Sequence, residues 1–109
     1  MTTPCATAYC VVQTTLASEA EAAALARAIV QARLAACVQL QPVRSLYVWQ
    51  DQTHDEPEWL LGIKTRAALW PQLEAYIREH HPYETPEILQ LPVLAGSAGY
   101  LAWVDTNTA

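Results

Sequence analysis

The sequence predicts an α+β fold in which two helices lie on one face of a four-stranded antiparallel sheet. The chain has 109 residues, which is the length of one small domain. Strand-type alternation and helix-type spacing follow each other in the order β-α-β-β-α-β. Hydrophobic residues make up 52% of the chain and charged residues only 16%, so the chain is too apolar to be disordered. The single domain is expected to span residues 1–109, with its core in residues 8–104.

The first strand and the first helix are predicted over residues 8–15 and 19–34. The strand mixes apolar residues with small polar ones. Ser18 precedes the helix and Glu21 follows three residues later, which is the spacing of a capping box. Apolar residues then recur at helical spacing, so one face of this helix is expected to pack on the sheet.

The middle of the chain predicts a long hairpin with two apolar faces. Residues 37–41 alternate between apolar and polar side chains, as a half-buried strand does. Pro42 has no backbone N–H, so a bend or bulge is expected there before the strand resumes over residues 44–50. Residues 51–57 are polar and are expected to form the hairpin loop. Residues 58–65 are expected to form the next strand.

The last third of the chain predicts a second helix, an edge strand and a short tail. The helix covers residues 67–80 and ends before Pro82, because a residue that precedes proline disfavours helical backbone. A strand is expected over residues 87–94, and residues 96–104 form a short terminal segment with helical character. This order of elements is the ferredoxin-like arrangement.

Two helices can cover only one face of the sheet, and the other face carries large side chains. Tyr47 and Trp49 alternate with Leu46 and Val48, so both faces of the hairpin are apolar. An exposed apolar surface of this kind marks an interaction site. We therefore expect subunits that cover each other, and the low content of charged residues agrees with this.

Charge and cysteine content exclude several classes of partner. The net charge is −5 at pH 7, so the chain is not expected to bind nucleic acid or an anionic membrane surface. No apolar run approaches the roughly 20 residues that a membrane-spanning helix needs. Three cysteines do not make a disulfide framework, and the start of the sequence lacks the pattern of a signal peptide. The expected location is the cytoplasm.

Metal ligands are the first candidate chemistry. His80 and His81 stand together at the predicted helix end, where a broken helix can let both imidazoles converge on copper or zinc. The alternative is that His80 packs on the apolar stripe of the helix while His81 caps carbonyl groups. Cys37 is either a reactive thiol or a small buried hydrophobic residue, and no base stands beside it in the sequence.

A cleft is the second candidate site. Residues 80–87 read HHPYETPE, and two prolines with an aromatic residue make a stiff connection between a helix and a strand. This connection is either a rigid turn in which Tyr83 closes the core or one wall of a cleft. In the second case Tyr83 and Glu84 line the cleft. Trp49 supplies its floor, and Lys64 presents a charge to it.

Catalytic signatures are weak in this sequence. Asp55 and Glu56 lie in the predicted polar loop, and Glu84 lies in a proline-rich turn where partial burial would suit general acid–base work. The sequence has no Gly-x-Ser-x-Gly motif and no glycine-rich phosphate loop. No catalytic residue is assigned, and no organic cofactor is implied.

Five short motifs follow one another along nearly the whole chain. They are residues 34–38 (LAACV), 45–49 (SLYVW), 64–65 (KT), 81–87 (HPYETPE) and 100–103 (YLAW). In this order and at these distances they resemble the CutA divalent-cation-tolerance family. The resemblance implies a fold related to PII signalling proteins and a tight homotrimer built by edge-to-edge pairing of the long hairpins. The family is named for tolerance to copper and other divalent ions and is regarded as non-enzymatic.

The resemblance also implies a metal site. Some bacterial members are assigned copper ligands, namely a cysteine late in the first strand and the histidine pair, and these positions fall on Thr14, His80 and His81 here. Thr14 departs from the pattern, because a threonine hydroxyl is a poor copper ligand. Cys10 lies four residues earlier, about 13 Å along a strand, so it does not replace the missing cysteine. Cys37 matches a strand-two cysteine of the family and is a further candidate ligand.

Four functional hypotheses remain open. The leading one is a cytoplasmic, CutA-like, non-enzymatic homotrimer that binds copper or another divalent cation weakly at the histidine pair. The alternative is a PII-like regulatory trimer that binds a small ligand in the cleft, placed between subunits. A small enzyme that uses Glu84 or Cys37 is the third hypothesis. A purely structural trimer that serves a partner protein is the fourth.

Overall fold

The computed structural model describes residues 7–109 and confirms the predicted ferredoxin-like fold. Four antiparallel strands form one sheet in the order β2-β3-β1-β4. Cys5 and the rest of the predicted domain before Thr7 lie outside the described residues. In chain order the elements are β1 (Tyr9–Leu16), α1 (Glu19–Gln31), β2 (Cys37–Trp49), β3 (Gln52–Arg66), a 3-10 turn (Ala67–Leu69), α2 (Trp70–His80), β4 (Leu89–Pro92) and α3 (Ala98–Thr106).

Helix α1 begins where the capping box predicts and ends earlier than predicted. The Ser18 hydroxyl accepts a hydrogen bond of 3.1 Å from the Glu21 N–H. At the other end Arg33 has a φ of 60°, and the N–H groups of Arg33 and Leu34 donate to carbonyl groups of the last helical turn. This is a Schellman motif with arginine in place of the usual glycine. Because no glycine marks the end, the predicted helix over residues 19–34 is too long.

Strands β2 and β3 form one uninterrupted hairpin, so the predicted bulge at Pro42 and the predicted loop over residues 51–57 are wrong. The pairing is unbroken along all 13 residues of β2. The chain reverses at Gln50 and Asp51, whose φ angles of 51° and 62° suit a tight two-residue turn. Pro42 fits because β2 is an edge strand, and proline is tolerated where its nitrogen faces away from the partner strand.

The core lies between the sheet and helices α1 and α2. Alternation along β1 turns Val12 and Leu16 toward the helices, and Leu61 and Ile63 of β3 join them from the neighbouring strand. All four side chains are buried. The two helices contribute six further buried residues, which are Ala22, Leu25, Ala26, Ile29, Leu73 and Ile77.

The predicted tail over residues 96–104 contains a helix, α3, which covers part of the opposite face of the sheet. The Tyr9 hydroxyl donates a hydrogen bond of 2.7 Å to Asp105, and the Lys64 ammonium lies 5.7 Å from the centre of the Tyr100 ring. Tyr9 and Lys64 face away from α1 and α2, since they alternate with the buried core residues of β1 and β3. A third helix therefore occupies one end of the face that α1 and α2 leave open.

The hairpin and the edge strands leave apolar side chains in solvent when one chain is considered alone. Leu46 is 65% exposed and Val48 is 71% exposed, and we call residues 46–49 the apolar ribbon. Strand β4 is shorter than the predicted strand over residues 87–94, and it forms the sheet edge opposite β2. Leu89 and Leu91 on β4 are also exposed. Both edges of the sheet thus carry apolar surface.

Candidate functional site: the hairpin groove

A groove of about 950 Å³ lies between the hairpin and the turn that follows α2, and we call it the hairpin groove. It opens on the face that α3 partly covers, at the opposite end of the sheet. Residues 44–49 form one wall and residues 83–87 contribute the other. The remaining lining residues come from the adjoining ends of β1 and β3, namely Thr15 and Glu58.

A tyrosine–glutamate pair ties the turn to β3. The Tyr83 hydroxyl donates a hydrogen bond of 2.8 Å to Oε2 of Glu58, which is only 9% exposed. Burial, and after it the hydrogen bond to Glu58, raises the pKa of Tyr83, so the phenol stays protonated and keeps donating. A hydrogen bond to a carboxylate is stronger than one between neutral groups. The pair therefore holds the aromatic ring of Tyr83 in the groove wall.

Three of the four residues predicted to line a cleft border the groove. Trp49, Tyr83 and Glu84 lie along it. Lys64 lies elsewhere, because it follows Glu58 by six positions on β3, about 20 Å at the rise of a strand. Its ammonium group sits beside α3 instead. Within one chain, the predicted lysine does not face the groove.

His81 is buried, and both of its ring nitrogens have partners. Nε2 lies 2.8 Å from the carbonyl oxygen of Thr15, and Nδ1 lies 3.1 Å from the backbone nitrogen of Tyr83. A carbonyl group only accepts and an amide N–H only donates, so Nε2 carries the proton and Nδ1 accepts. Burial lowers the pKa of His81 and outweighs the Thr15 carbonyl and the Glu21 and Glu58 carboxylates, which favour the charged ring. The ring is therefore neutral.

His80 points away from its neighbour. Its Nδ1 lies 2.9 Å from the carbonyl oxygen of Tyr76, and its ring stacks on the Tyr76 ring with centres 4.1 Å apart. His81 instead reaches the end of β1. Among residues 7–109, no group of three or more His, Cys, Asp or Glu side chains is placed to hold a metal ion. Within one chain the two imidazoles therefore do not converge, because each ring has a different partner.

Thr14 and Cys37, the other residues of the metal hypothesis, bring no thiol to the histidines. Thr14 is fully buried on the core face of β1, and its hydroxyl oxygen has no hydrogen-bond partner among the described residues. Cys37 is half-buried and lies opposite Lys64, whereas Thr15 at the His81 end lies opposite Leu60. Four positions of β3 separate these two places, about 13 Å.

We expect Thr14→Val to stabilise the fold by about 1 kcal/mol, because valine has nearly the same shape and removes a buried hydroxyl without a partner. Thr65→Val is the matched control. Thr65 is equally buried, but its hydroxyl donates a hydrogen bond of 2.7 Å to the Leu34 carbonyl, so its loss should cost about 1 kcal/mol. Urea unfolding of both variants and the parent at one concentration measures the two effects. Equal destabilisation by both substitutions would contradict the prediction.

The neutral state of His81 predicts a pH dependence of stability. The unfolded chain binds a proton at this histidine near pH 6.5, whereas the folded chain resists protonation until the pH falls further. The stabilising contribution is therefore complete above that pH and is lost below it, by at most about 1.4 kcal/mol per pH unit. Urea unfolding at about pH 7.5 and about pH 5 measures the loss. His81→Asn should show a smaller loss than the parent, and an identical loss in both proteins would refute this interpretation.

Two side-chain contacts beside the groove were not predicted from the sequence. Arg44 donates hydrogen bonds of 2.8 and 2.6 Å to Asp55 across the hairpin, and this pairing holds the pKa of Asp55 below its usual range. Tyr47 stacks on His54 directly opposite it. Both contacts depend on which residues of β2 and β3 lie opposite each other. Because residues 51–57 were predicted to form a loop, neither pairing could be foreseen. The sequence gives only a weak indication that Glu58 belongs to the site, namely that it is a single acidic residue at the start of an apolar strand.

Comparison with known proteins finds one family. A family model described as CutA1 divalent ion tolerance protein matches residues 10–107. The divalent-cation tolerance protein CutA of Thermus thermophilus is 41% identical over 99 residues, which are 90% of this chain and 96% of that protein. Human Protein CutA is 44% identical over 95 residues, 86% of this chain, and the match spans 53% of the human protein. This chain thus spans about half the length of the human relative.

A solved structure agrees with the sequence match. The divalent cation tolerance protein of Thermus thermophilus superimposes with a TM-score of 0.88 at 40% sequence identity, covering 93% of this chain and 99% of that one. The ferredoxin-like sheet, the extended hairpin and the groove beside it define a small α+β protein of CutA type. The chain belongs to the CutA1 divalent ion tolerance family, which confirms the predicted resemblance. Over residues 7–109, no helix is both long enough and apolar enough to cross a membrane.

Proposed function

We propose that the chain is a homotrimeric, non-enzymatic protein of divalent-cation tolerance. The observation that carries the proposal is the apolar ribbon, where Leu46 and Val48 are mostly exposed in one chain. Burial of such side chains against another surface is favourable because it removes apolar area from water. A further copy of the same chain offers the complementary apolar surface on β4, where Leu89 and Leu91 are exposed.

The edges of the sheet favour copies of this chain as the partners. β2 and β4 are edge strands, and an edge strand presents N–H and C=O groups that can pair with another strand. Edge-to-edge pairing around the hairpins satisfies these groups. A head-to-tail contact of this kind repeats until the ring closes. Three copies are the number that the family resemblance implies.

The setting of the candidate catalytic residues supports a non-enzymatic role. Glu84 is exposed to solvent, whereas general acid–base work needs a carboxyl group in an apolar pocket. Glu58 is buried, but the Tyr83 hydroxyl occupies one of its oxygens. Cys37 is a free thiol at the start of a strand, not at a helix N-terminus where reactive thiols are activated.

Family membership supports the tolerance role, since the Thermus thermophilus relative is named for it. Because His80 and His81 do not converge, we place this role in the assembled trimer and not in a copper ion held by that pair. Growth on raised copper or zinc tests the role, in a bacterial strain that lacks its own family member. Expression of this chain should restore growth, and expression of Val48→Glu, which is designed to break the trimer, should not. Failure of the parent chain to restore growth would overturn the proposal.

A second candidate function is regulatory binding of a small molecule in the hairpin groove. The observation that favours it is the size of the groove, about 950 Å³, which is enough for a metabolite. Trp49 and Tyr83 offer aromatic surface, and Glu84 and Glu87 offer exposed carboxyl groups. The lining Arg44 is already paired with Asp55. Aromatic rings and carboxylates both attract organic cations. A ligand with an amine group therefore suits the groove better than a nucleotide does.

Thermal unfolding with a panel of polyamines, basic amino acids and nucleotides tests this second function. An amine ligand should raise the Tm of the parent in a concentration-dependent way. The rise should be smaller in Trp49→Ala, while Trp70→Ala, on the helix side of the sheet, keeps the groove intact as a control. Stabilisation by nucleotides alone would contradict the proposal that the ligand carries an amine group. No stabilisation by any compound would count against the function itself.

We also propose that the protein resides in the cytoplasm. The two cysteines that the structure describes, Cys10 and Cys37, both carry free thiols, as is usual in a reducing compartment. Fractionation of the native cells with an antibody against the chain tests this. Recovery with the cytosolic marker is expected, and recovery in another fraction would contradict it.

A further inference from the structure

We infer that His81 is a positioning residue that fixes Tyr83 in the wall of the hairpin groove, and that its ring is not available to a metal ion. The inference rests on the hydrogen bonds of the ring and does not depend on the proposed function. The His81 ring bridges the end of β1 and the turn after α2, through Thr15 on one side and Tyr83 on the other.

The hydrogen bonds use the whole capacity of the neutral ring. A neutral imidazole has one N–H and one nitrogen lone pair. The Thr15 carbonyl takes the N–H at Nε2, and the Tyr83 amide takes the lone pair at Nδ1. A metal ion binds histidine through a nitrogen lone pair, so coordination would have to break one of these bonds. Since His81 is only 8% exposed, water does not readily replace the lost partner.

The same bonds determine where Tyr83 stands. Its backbone N–H is held by His81, its ring lies 4.7 Å from the imidazole centre, and its hydroxyl is held by Glu58. Pro82 stiffens the link between the histidine and the tyrosine. Three separate contacts therefore fix one aromatic ring at the groove. His81 supplies two of the three.

The residues at the ligand positions implied by the family resemblance point to three different places. The Thr14 side chain lies in the core, His80 lies on the outer side of α2 against Tyr76, and His81 binds backbone groups. This chain thus uses one member of the histidine pair for structure. Both the missing thiol and the occupied His81 ring separate it from a copper-binding arrangement.

Nitrogen NMR of the wild-type protein labelled with ¹⁵N-histidine tests the inference without any substitution. His81 should appear as the neutral tautomer with the proton on Nε2, and zinc chloride should leave both of its ring signals unchanged. The signals of His80, which is an exposed residue, serve as the internal reference for weak zinc binding. A tautomer with the proton on Nδ1, or a zinc-dependent shift of the His81 nitrogens, would overturn the inference.

Hydrogen exchange at the Tyr83 amide tests the positioning role. In His81→Asn the side-chain oxygen can take the place of Nδ1 as acceptor, so Tyr83 should stay protected. In His81→Gln the amide group reaches the place of Nε2 instead, so exchange at Tyr83 should be roughly tenfold faster. His80→Asn should not change the rate. Equal protection of Tyr83 in His81→Gln and the parent would refute the positioning role.

Discussion

Val48→Glu is expected to convert an assembly of three chains, about 36 kDa, into single chains of 12.0 kDa. Val48 belongs to the apolar ribbon and is 71% exposed when one chain is considered alone. In the proposed trimer this side chain lies against a neighbouring subunit. A glutamate there would lose its hydration without gaining a partner, which costs several kcal/mol in each subunit.

The effect is large because a ring repeats every contact. One substitution in the sequence places a carboxylate in all three interfaces of the trimer, so the penalties act together on one assembly reaction. The fold of the single chain should survive, since Val48 pairs with Thr53 near the hairpin turn and contributes nothing to the buried core. Dissociation without unfolding is therefore the expected outcome.

Val30→Glu is the matched control for this experiment. Val30 is 40% exposed on α1, away from the hairpin, and the substitution introduces the same charge in place of the same side chain. Light scattering after size exclusion at micromolar concentration measures both variants. The control should keep the mass of the parent. A parent that already runs at 12.0 kDa, or a Val48→Glu protein that keeps three chains, would show that the ribbon is not the interface.

Much of the fold follows from local patterns in the sequence. The Ser18–Glu21 spacing marks the start of α1, a mixture of apolar and small polar residues marks β1, and alternation marks the two parts of β2 on either side of Pro42. These signals depend on neighbours along the chain. The hairpin is harder to predict from the sequence. Residues 53–57 pair only with β2, so both of their faces reach solvent and their polar composition imitates a loop. Where a strand extends beyond the rest of its sheet, neither face is buried, so apolar and polar residues do not alternate along it.

The groove was predictable in outline because the turn after α2 is stiff and aromatic. Tyr83 and Glu84 stand out by composition, and Trp49 stands out on an apolar hairpin. Lys64 could not be placed from the sequence, since its distance from the groove depends on the length of β3. The role of His81 was equally hidden, because its partner Thr15 lies 66 positions away in the chain.

Ile63→Ala is expected to cost about 2–5 kcal/mol of unfolding free energy, the largest effect of any single truncation proposed for the core. Ile63 is fully buried in the central strand β3, opposite Val12 on one side and Val38 on the other, beneath the helices. Removing three carbons there leaves a cavity that neighbours on both strands cannot close without breaking the register of the sheet. Ile63→Val, which removes one carbon, should cost about 0.5–1.5 kcal/mol.

Comparison of Ile63→Ala with Ile63→Val separates a loss of core packing from an effect on assembly. Unfolding of a trimer depends on chain concentration, so parent and variants must be compared in urea at one fixed concentration. Val30→Ala truncates a half-exposed side chain on α1 and should change stability by less than about 0.5 kcal/mol. If Ile63→Ala cost no more than this control, β3 could not be the centre of the core. The same strand also carries Glu58, so a loss of packing at Ile63 should loosen the Tyr83 contact, and faster exchange at the Tyr83 amide would report it.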